Sequence, residues 1–532
     1  MPKKENWGSR LGVILAVMGG AVGLGNFLRF PGLVATCGGG AFMIPYLVAV
    51  LVLAVPISWA EWAAGRYGGS KGFNSVPGIF YTLTKRPYGA WLGLLHTIIP
   101  IIIFIYYTLI EAFCLVYACS YLMDSMHLGT PQAYLDSFNR FVGMDENGAV
   151  FAEGLFSPLF AALLVCYAVN FFLIYRGISR GIERFCLFAM PLLIVCGLVL
   201  MVRVITLGNP MGIEGQSYRD SLNFMWNPTH SGQTFLESLS NPETWLLAAG
   251  QVFFSYSIGF GLIITYASYM KKDTDVASSS LTAIAGNGFC EIIIGGMMVV
   301  PVAVMFLGHD ALNKETLGST FALGFQALPS VFDKMWFGQG IGFLFFFLLF
   351  LAAVTSSISE LQPPIAFIQE GLGVGRNRSC LFLFLITFTG TCLVMYYSKN
   401  LQALDTFDFW AGNFFIFIMA TVQILIFGWV FGIERGMAEI RRGAKMQVPN
   451  FIAFVIKYVS PLYLIVIFGA WLSINLPKRI AMIRSESVVQ LSCYFMFGLA
   501  VFFSLILVYA LKRWRKTRRL VHLDDVEDVA GK

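Results

Sequence analysis

Charge is what this sequence has least of. Of its 532 residues, 12% are Asp, Glu, Lys or Arg and 57% are hydrophobic, with a mean hydropathy of +0.72. A soluble globular chain carries about 25% charged and 45–50% apolar residues. Soluble folds are therefore excluded, and with them disorder, collagen and nucleic-acid binding, which all need polar or basic surface. Histidine is scarce too: the five, His96, His127, His230, His309 and His522, share no ligand spacing. None of the ten cysteines forms a CxxC pair, and most lie inside apolar runs. They read as small buried apolar residues, not as a disulfide or zinc framework. Period-two alternation is missing as well. The apolar runs are continuous, which argues against a β-barrel.

What is present is enough apolar sequence for many crossings, since a spanning helix takes about 20 apolar residues. Segments near 10–35, 41–65, 88–123, 156–175, 185–206, 243–270, 276–307, 336–369, 379–396, 408–430, 451–476 and 487–511 make twelve spans. The sequence predicts an all-α polytopic membrane protein with twelve transmembrane helices. Lys and Arg orient it. With the N-terminus in the cytoplasm, the inner segments carry Lys3, Lys4 and Arg10; Lys85 and Arg86; Arg176, Arg180 and Arg184; Lys271 and Lys272; Arg376 and Arg378; and Arg435, Arg441, Arg442 and Lys445. Much of the net charge of +6 sits in the tail, where Lys512, Arg513, Arg515, Lys516, Arg518 and Arg519 read as a cytoplasmic anchor. Lys478, Arg479 and Arg484, in an outer loop, break the pattern. The first apolar run continues through Gly-rich sequence to Arg29 and Pro31, so it reads as a retained span, not a signal peptide.

Two spans are interrupted. Gly19, Gly20, Gly23 and Gly25 crowd the first, and each Gly costs up to ~1 kcal/mol relative to Ala in a helix interior. The sixth carries Ser255, Tyr256, Ser257, Gly259 and Gly261 at mid-depth. Irregular backbone at that depth is tolerated only where it is buried in protein or lines a cavity. The two lie five spans apart, as in two five-helix repeats, and a matched pair of broken helices is the best pointer to a transport site. The alternative is close helix packing through small residues.

The motifs around these breaks are ordered. Trp7-Gly-Ser-Arg-Leu-Gly through Gly23-Leu-Gly-Asn-Phe-Leu-Arg-Phe-Pro31, Gly38-Gly-Gly-Ala-Phe-Met-Ile-Pro-Tyr46 and Glu61-Trp-Ala-Ala-Gly-Arg-Tyr-Gly68 resemble the neurotransmitter:sodium symporter family. So do Arg176-Gly-Ile-Ser-Arg-Gly-Ile-Glu-Arg184, Gly250-Gln-Val-Phe-Phe-Ser255, Thr355-Ser-Ser357 and Asp408-Phe-Trp-Ala-Gly412. The resemblance covers nearly the whole chain and is greatest to the bacterial amino-acid members of the leucine-transporter type. It implies a 5+5 inverted repeat with broken helices 1 and 6, over 8–207 and 240–430, then two additional helices in 447–512 and a cytoplasmic tail at 513–532. It further implies sodium-driven amino-acid import by alternating access, with two sodium ions and no organic cofactor. The place implied is the inner (plasma) membrane of a prokaryote, both termini cytoplasmic, as a monomer or homodimer in the lipid bilayer.

Carried onto this chain, the resemblance gives a first sodium site of the Ala21 carbonyl, Asn26, Ser255, Asn287 and the substrate carboxylate. The second takes the carbonyls of Gly19, Val22 and Ala352 with the hydroxyls of Thr355 and Ser356. For the two hydroxyls, back-bonding to their own helix is the alternative. The substrate carboxylate meets the amides near Leu24 and Gly25 and the Tyr107 hydroxyl. Gly23 replaces the aspartate of monoamine-type members and so points to a true amino acid. Phe254 lids the pocket, and Ile103, Phe260, Ser257 and Gly20 shape it, with Gly20 expected to enlarge or reshape it. Arg29 with Asp408 forms an outer gate; Lys4 with Glu370, near Tyr269, forms an inner one, though Lys makes a weaker fork than Arg. Glu291 stands where chloride-dependent relatives have a small polar residue, so no chloride requirement is expected.

Glu360 falls where the leucine-transporter type has an aliphatic pocket residue. A carboxylate at the midplane is expensive unless paired or protonated, and functional by default. Two readings stand: it faces a cationic or hydrogen-bond-donating substrate side chain, or it is protonated and held by neighbouring Ser or Tyr hydroxyls with a neutral substrate. The neutral substrate is the working expectation, with Glu360 undecided. An intramembrane enzyme lacks any visible nucleophile–base or metal set. A passive channel needs no matched ion and carboxylate sites.

Overall fold

The computed structural model describes residues 5–152, 157–229, 234–308 and 323–517. Among them every regular element is helical. Ten helices are long and apolar enough to cross a bilayer: Gly40–Ser70, Pro87–Leu122, Pro158–Tyr175, Ile178–Ile205, Val276–Leu307, Gly338–Leu372, Arg376–Tyr396, Lys399–Val430, Phe451–Ser485 and Ser487–Lys516. The first span is the pair Arg10–Ala21 and Gly25–Thr36, bent by 51°. The sixth is the pair Pro242–Tyr256 and Leu262–Ser268. Eleven of the twelve expected spans are thus long and apolar enough to cross, the first as a bent pair, while the sixth folds as two shorter half-helices; the two expected breaks are real.

Each break has a local cause. Val22 is extended, with φ −73° and ψ 99°, and ends the first half-helix. A Cβ on Gly23 would lie 2.6 Å from the Tyr107 hydroxyl and 2.8 Å from Ser356 Oγ. In the sixth span Ser257, Gly259 and Gly261 all have positive φ. A Cβ on Gly261 would meet the His96 Cβ at 2.7 Å, so glycine is required there for both conformation and space.

Several boundaries run past the apolar sequence. The fifth span begins at Ile178, in a π-helical turn through Glu183, rather than at 185. Its polar residues stay helical because Glu183 accepts hydrogen bonds from Gly8 and Ser9. The eleventh continues to Ser485, so Lys478, Arg479 and Arg484 are helical rather than a loop. Arg479 there pairs with both oxygens of Asp405 and stacks over Phe409 at 4.4 Å. That contact accounts for the arginine that broke the charge pattern.

The third span is the most deeply buried and packs along the eighth, Gly338–Leu372. The first half of span one sits against spans five, seven and eight. The last two spans lie at the edge and expose Leu462, Ile465, Val466, Tyr494, Phe497 and Leu505, an apolar face suited to lipid. Basic tail residues are also used internally: Arg513 Nη1 and Trp514 Nε1 donate to the Glu370 carbonyl at 3.1 and 3.0 Å, closing the end of the eighth helix. Arg518 and Arg519 lie outside the described residues.

Candidate functional site

The two breaks and the eighth span enclose one cavity. Its wall is Gly20, Ala21, Gly23, Gly25, Tyr107, Phe254, Ser255, Ser257, Phe260, Ser356 and Glu360, and the free space they leave is about 20 Å³. That is room for about one water molecule, so the cavity is closed down and a solute fits only when its walls move apart. All of these were expected from the sequence. Leu24 and Ile103 were expected too but do not line it: Leu24 N–H donates to the Tyr107 hydroxyl at 3.1 Å, and Ile103 is buried behind. Ser257 Oγ donates to the Gly20 carbonyl at 3.0 Å and ties the two breaks together. Gly20 does not simply enlarge the site. A Cβ there would lie 3.0 Å from Ser359 Oγ and 3.1 Å from Leu262, so the missing side chain lets three spans close up.

The backbone at the first break is poised for an anion. The second half-helix starts at Gly25, and a helix N-terminus carries partial positive charge, although the Gly23, Leu24 and Asn26 amides here already donate to Asn26 Oδ1, the Tyr107 hydroxyl and the Gly23 carbonyl. Because the Tyr107 oxygen accepts from Leu24, its own proton can be donated into the cavity.

Two sets of oxygens flank this point. Asn26 Nδ2 donates to Asn287 Oδ1 at 2.9 Å, Asn287 Nδ2 donates to Ser255 Oγ at 3.0 Å, and Gly23 N–H donates to Asn26 Oδ1 at 2.9 Å. These bonds hold the amide oxygens of Asn26 and Asn287 and the hydroxyl of Ser255 together beside Ala21. In the second set, Ser356 Oγ reaches the carbonyls of Gly19 and Val22 at 3.3 and 3.4 Å, across from its own helix. Thr355 Oγ1 instead back-bonds to Leu351 and Ala352, at 3.2 and 3.0 Å. The alternative thus holds for the Thr355 rotamer but not for Ser356. Such hydroxyls and freed carbonyls suit a hard cation, which takes oxygen ligands.

The expected gates differ in detail. Arg29 stacks over Phe254 at 4.8 Å and donates to Asn413 Oδ1 at 3.1 Å. Asn413 Nδ2 donates to Asp408 Oδ2 at 3.1 Å, and Tyr106 donates to Asp408 Oδ1 at 2.7 Å. The Asn413 amide thus bridges Arg29 and Asp408, the pair expected to form the outer gate. At the other end, Lys4 lies outside the described residues. Glu370 accepts from the Asn74 and Ser75 amides and the Ser75 hydroxyl, holding a loop. Tyr269 accepts from Gln362, Gln362 accepts from Arg376, and Arg376 pairs with Glu5 at 3.1 Å. Trp7 Nε1 donates to the Tyr266 carbonyl at 2.8 Å, beside the Glu183 clamp on Gly8 and Ser9.

Sequence reasoning gave no role to two buried carboxylates. Glu61 accepts from Gly259 N–H at 2.9 Å and Gln423 Nε2 at 2.8 Å, capping the break in the sixth span. Glu111 accepts from Asn170 and Ser357. Their signal was a carboxylate inside an apolar run. Glu291 accepts from Tyr46 and Gln251, and Gln251 also donates to the Gly25 carbonyl at 3.2 Å. Glu360 is buried on the cavity wall, but its Oε2 has no hydrogen-bond partner among the described residues. Among the described residues no hydroxyl bonds to that oxygen, and both readings of Glu360 stay open.

The comparisons with known proteins agree with this geometry. The family profile described as the sodium:neurotransmitter symporter family matches residues 4–138 and 139–515. The chain is similar to an uncharacterized sodium-dependent transporter of Methanocaldococcus jannaschii, with 28% identity over 464 residues, 87% of this chain and 89% of the relative. An uncharacterized sodium-dependent transporter of Haemophilus influenzae is 28% identical over 486 residues, 88% of this chain and 98% of the relative. The crystal structure of MhsT in complex with L-phenylalanine superposes with a TM-score of 0.73 at 26% identity, covering 88% of this chain and 99% of that one.

Proposed function

Since the chain belongs to the sodium:neurotransmitter symporter family, we propose that the solute it carries with sodium is an amino acid, imported by alternating access. One observation carries the reading: the Tyr107 hydroxyl, which accepts from the Leu24 amide at 3.1 Å, lines the cavity at the start of a half-helix. An α-carboxylate placed there accepts a hydrogen bond from the Tyr107 hydroxyl and faces the half-helix dipole, and its other oxygen completes the first cation set. Substrate and ion then each bind best when the other is present, which is what coupling requires. Gly23 leaves room for that carboxylate, because any side chain there would run into Tyr107 and Ser356. A relative solved with L-phenylalanine bound supports the same substrate class.

The second oxygen set, between spans one and eight, is assigned to a second sodium ion. Glu291 supplies a fixed negative charge beside the first set, so chloride is not required. The basic residues of the inner segments support cytoplasmic termini, and the archaeal and bacterial relatives support a prokaryotic plasma membrane. The test is uptake of a panel of radiolabelled amino acids into proteoliposomes with and without an inward sodium gradient. At least one amino acid accumulates above its external concentration, and the accumulation disappears when sodium is equalised. Sodium-independent equilibration, or no uptake of any amino acid, rules the reading out.

A further inference from the structure

The buried carboxylates at the centre of the molecule are not alike. Glu61 is held by Gly259 and Gln423, Glu111 by Asn170 and Ser357, and Glu291 by Tyr46 and Gln251. Asp408, nearer the outer end, is held by Tyr106 and Asn413. Glu61 leaves its Oε2 buried without a donor, but its Oε1 takes both bonds, whereas Glu360, 6% exposed, has a buried Oε2 without a donor and no hydrogen bond among the described residues. It sits four residues after Ser356 on the helix Gly338–Leu372, so the two share a face, and both line the cavity.

We propose that Glu360 is the side-chain selector of the substrate site, and that the substrate is a cationic α-amino acid whose distal ammonium or guanidinium pairs with it. The proposal rests on the amino-acid reading above and deepens it. The cavity has an edge that receives an anion, at the Tyr107 hydroxyl, and a wall that presents a carboxyl group, at Glu360. A neutral amino acid would satisfy the first and leave the second facing methylene groups. A buried carboxyl group without a partner is costly in either protonation state, and most costly when charged. A cationic side chain fills both. Neither sodium set needs Glu360, since each is built from other oxygens. Sites built around a buried polar group reject analogues that lack its partner far more strongly than sites that differ by a methylene.

The experiment compares L-lysine with L-norleucine, which has the same carbon chain without the ammonium, as competitors in sodium-driven uptake. It uses the wild type, Glu360→Leu and Glu360→Gln. Wild type favours lysine by at least about tenfold. Glu360→Leu reverses the preference, and Glu360→Gln, which keeps an oxygen acceptor without charge, falls between. Preference for norleucine in the wild type overturns the proposal, as does a lysine preference unmoved by Glu360→Leu. If neither variant survives size-exclusion chromatography, the wild-type ratio decides. Sodium-driven uptake of neutral but not cationic amino acids sinks the Glu360 assignment alone. Absence of any sodium-driven amino-acid uptake sinks the underlying reading as well.

Discussion

At the residue scale, the chemistry rests on which buried charge is already satisfied. Glu291 illustrates it. Tyr46 and Gln251 both direct hydrogens at its carboxylate, and Gln251 also donates to the Gly25 carbonyl, so the charge is connected to the first break. Replacing it by a short hydroxyl leaves those donors around an empty, positively disposed space. Glu291→Ser is therefore expected to lower sodium-driven uptake about tenfold in chloride-free buffer, with recovery as chloride is added. Uptake by the wild type is expected to ignore chloride. A variant that stays equally active without chloride would remove Glu291 from the ion chemistry. Residues of this kind were legible because they sit in long ordered motifs. Asn413 was not assigned, although it directly follows Asp408-Phe-Trp-Ala-Gly412, because a bridging amide is defined by what lies across from it in another span.

At the scale of elements, some departures from helical regularity fall on candidate site residues and others, such as the π-helical turns Val50–Ala54, Ile426–Val430 and Val455–Val459, do not. π-helical turns cover Gly25–Arg29, Phe289–Gly296 and Asp408–Phe415, which carry Asn26 and Arg29, Glu291, and Asp408 with Asn413. Such turns are frequent at functional sites. Glycine density gave both breaks away in the sequence. What holds the second break open was not legible, because Glu61 reaches it from a span nearly two hundred residues away. Its Oε1 accepts from Gly259 N–H, and an orphaned buried donor costs about 1–3 kcal/mol. Glu61→Leu is expected to lower the unfolding temperature in detergent and to abolish sodium-driven uptake. Glu61→Gln, which keeps a side-chain oxygen for Gly259, is expected to lose less of both. Equal loss in the two variants would mean that Glu61 acts through its charge and not as a cap.

At the scale of the whole molecule, the cavity is shut from both ends by ties that share no residue. Arg29, Asn413, Asp408 and Tyr106 close one end over Phe254. Trp7, the Glu183 clamp and the Glu5–Arg376 pair close the other. Alternating access requires that one set release while the other holds. A hydrogen bond to a charged group contributes about 1.5–3 kcal/mol, and 1.4 kcal/mol is tenfold in a local opening equilibrium. Trp7→Ala combined with Glu183→Gln is therefore expected to raise amide hydrogen exchange in residues 5–12 and 262–268 by at least about tenfold. Exchange in residues 404–413 should stay at the wild-type rate. Asn413→Ala should do the reverse. Saturating sodium should slow the first effect, because an ion in the second oxygen set joins span one to span eight just above the released segment. Exchange that rises at both ends in either variant would show that the two closures open together. That outcome describes a pore, and it would remove the structural basis for coupled transport.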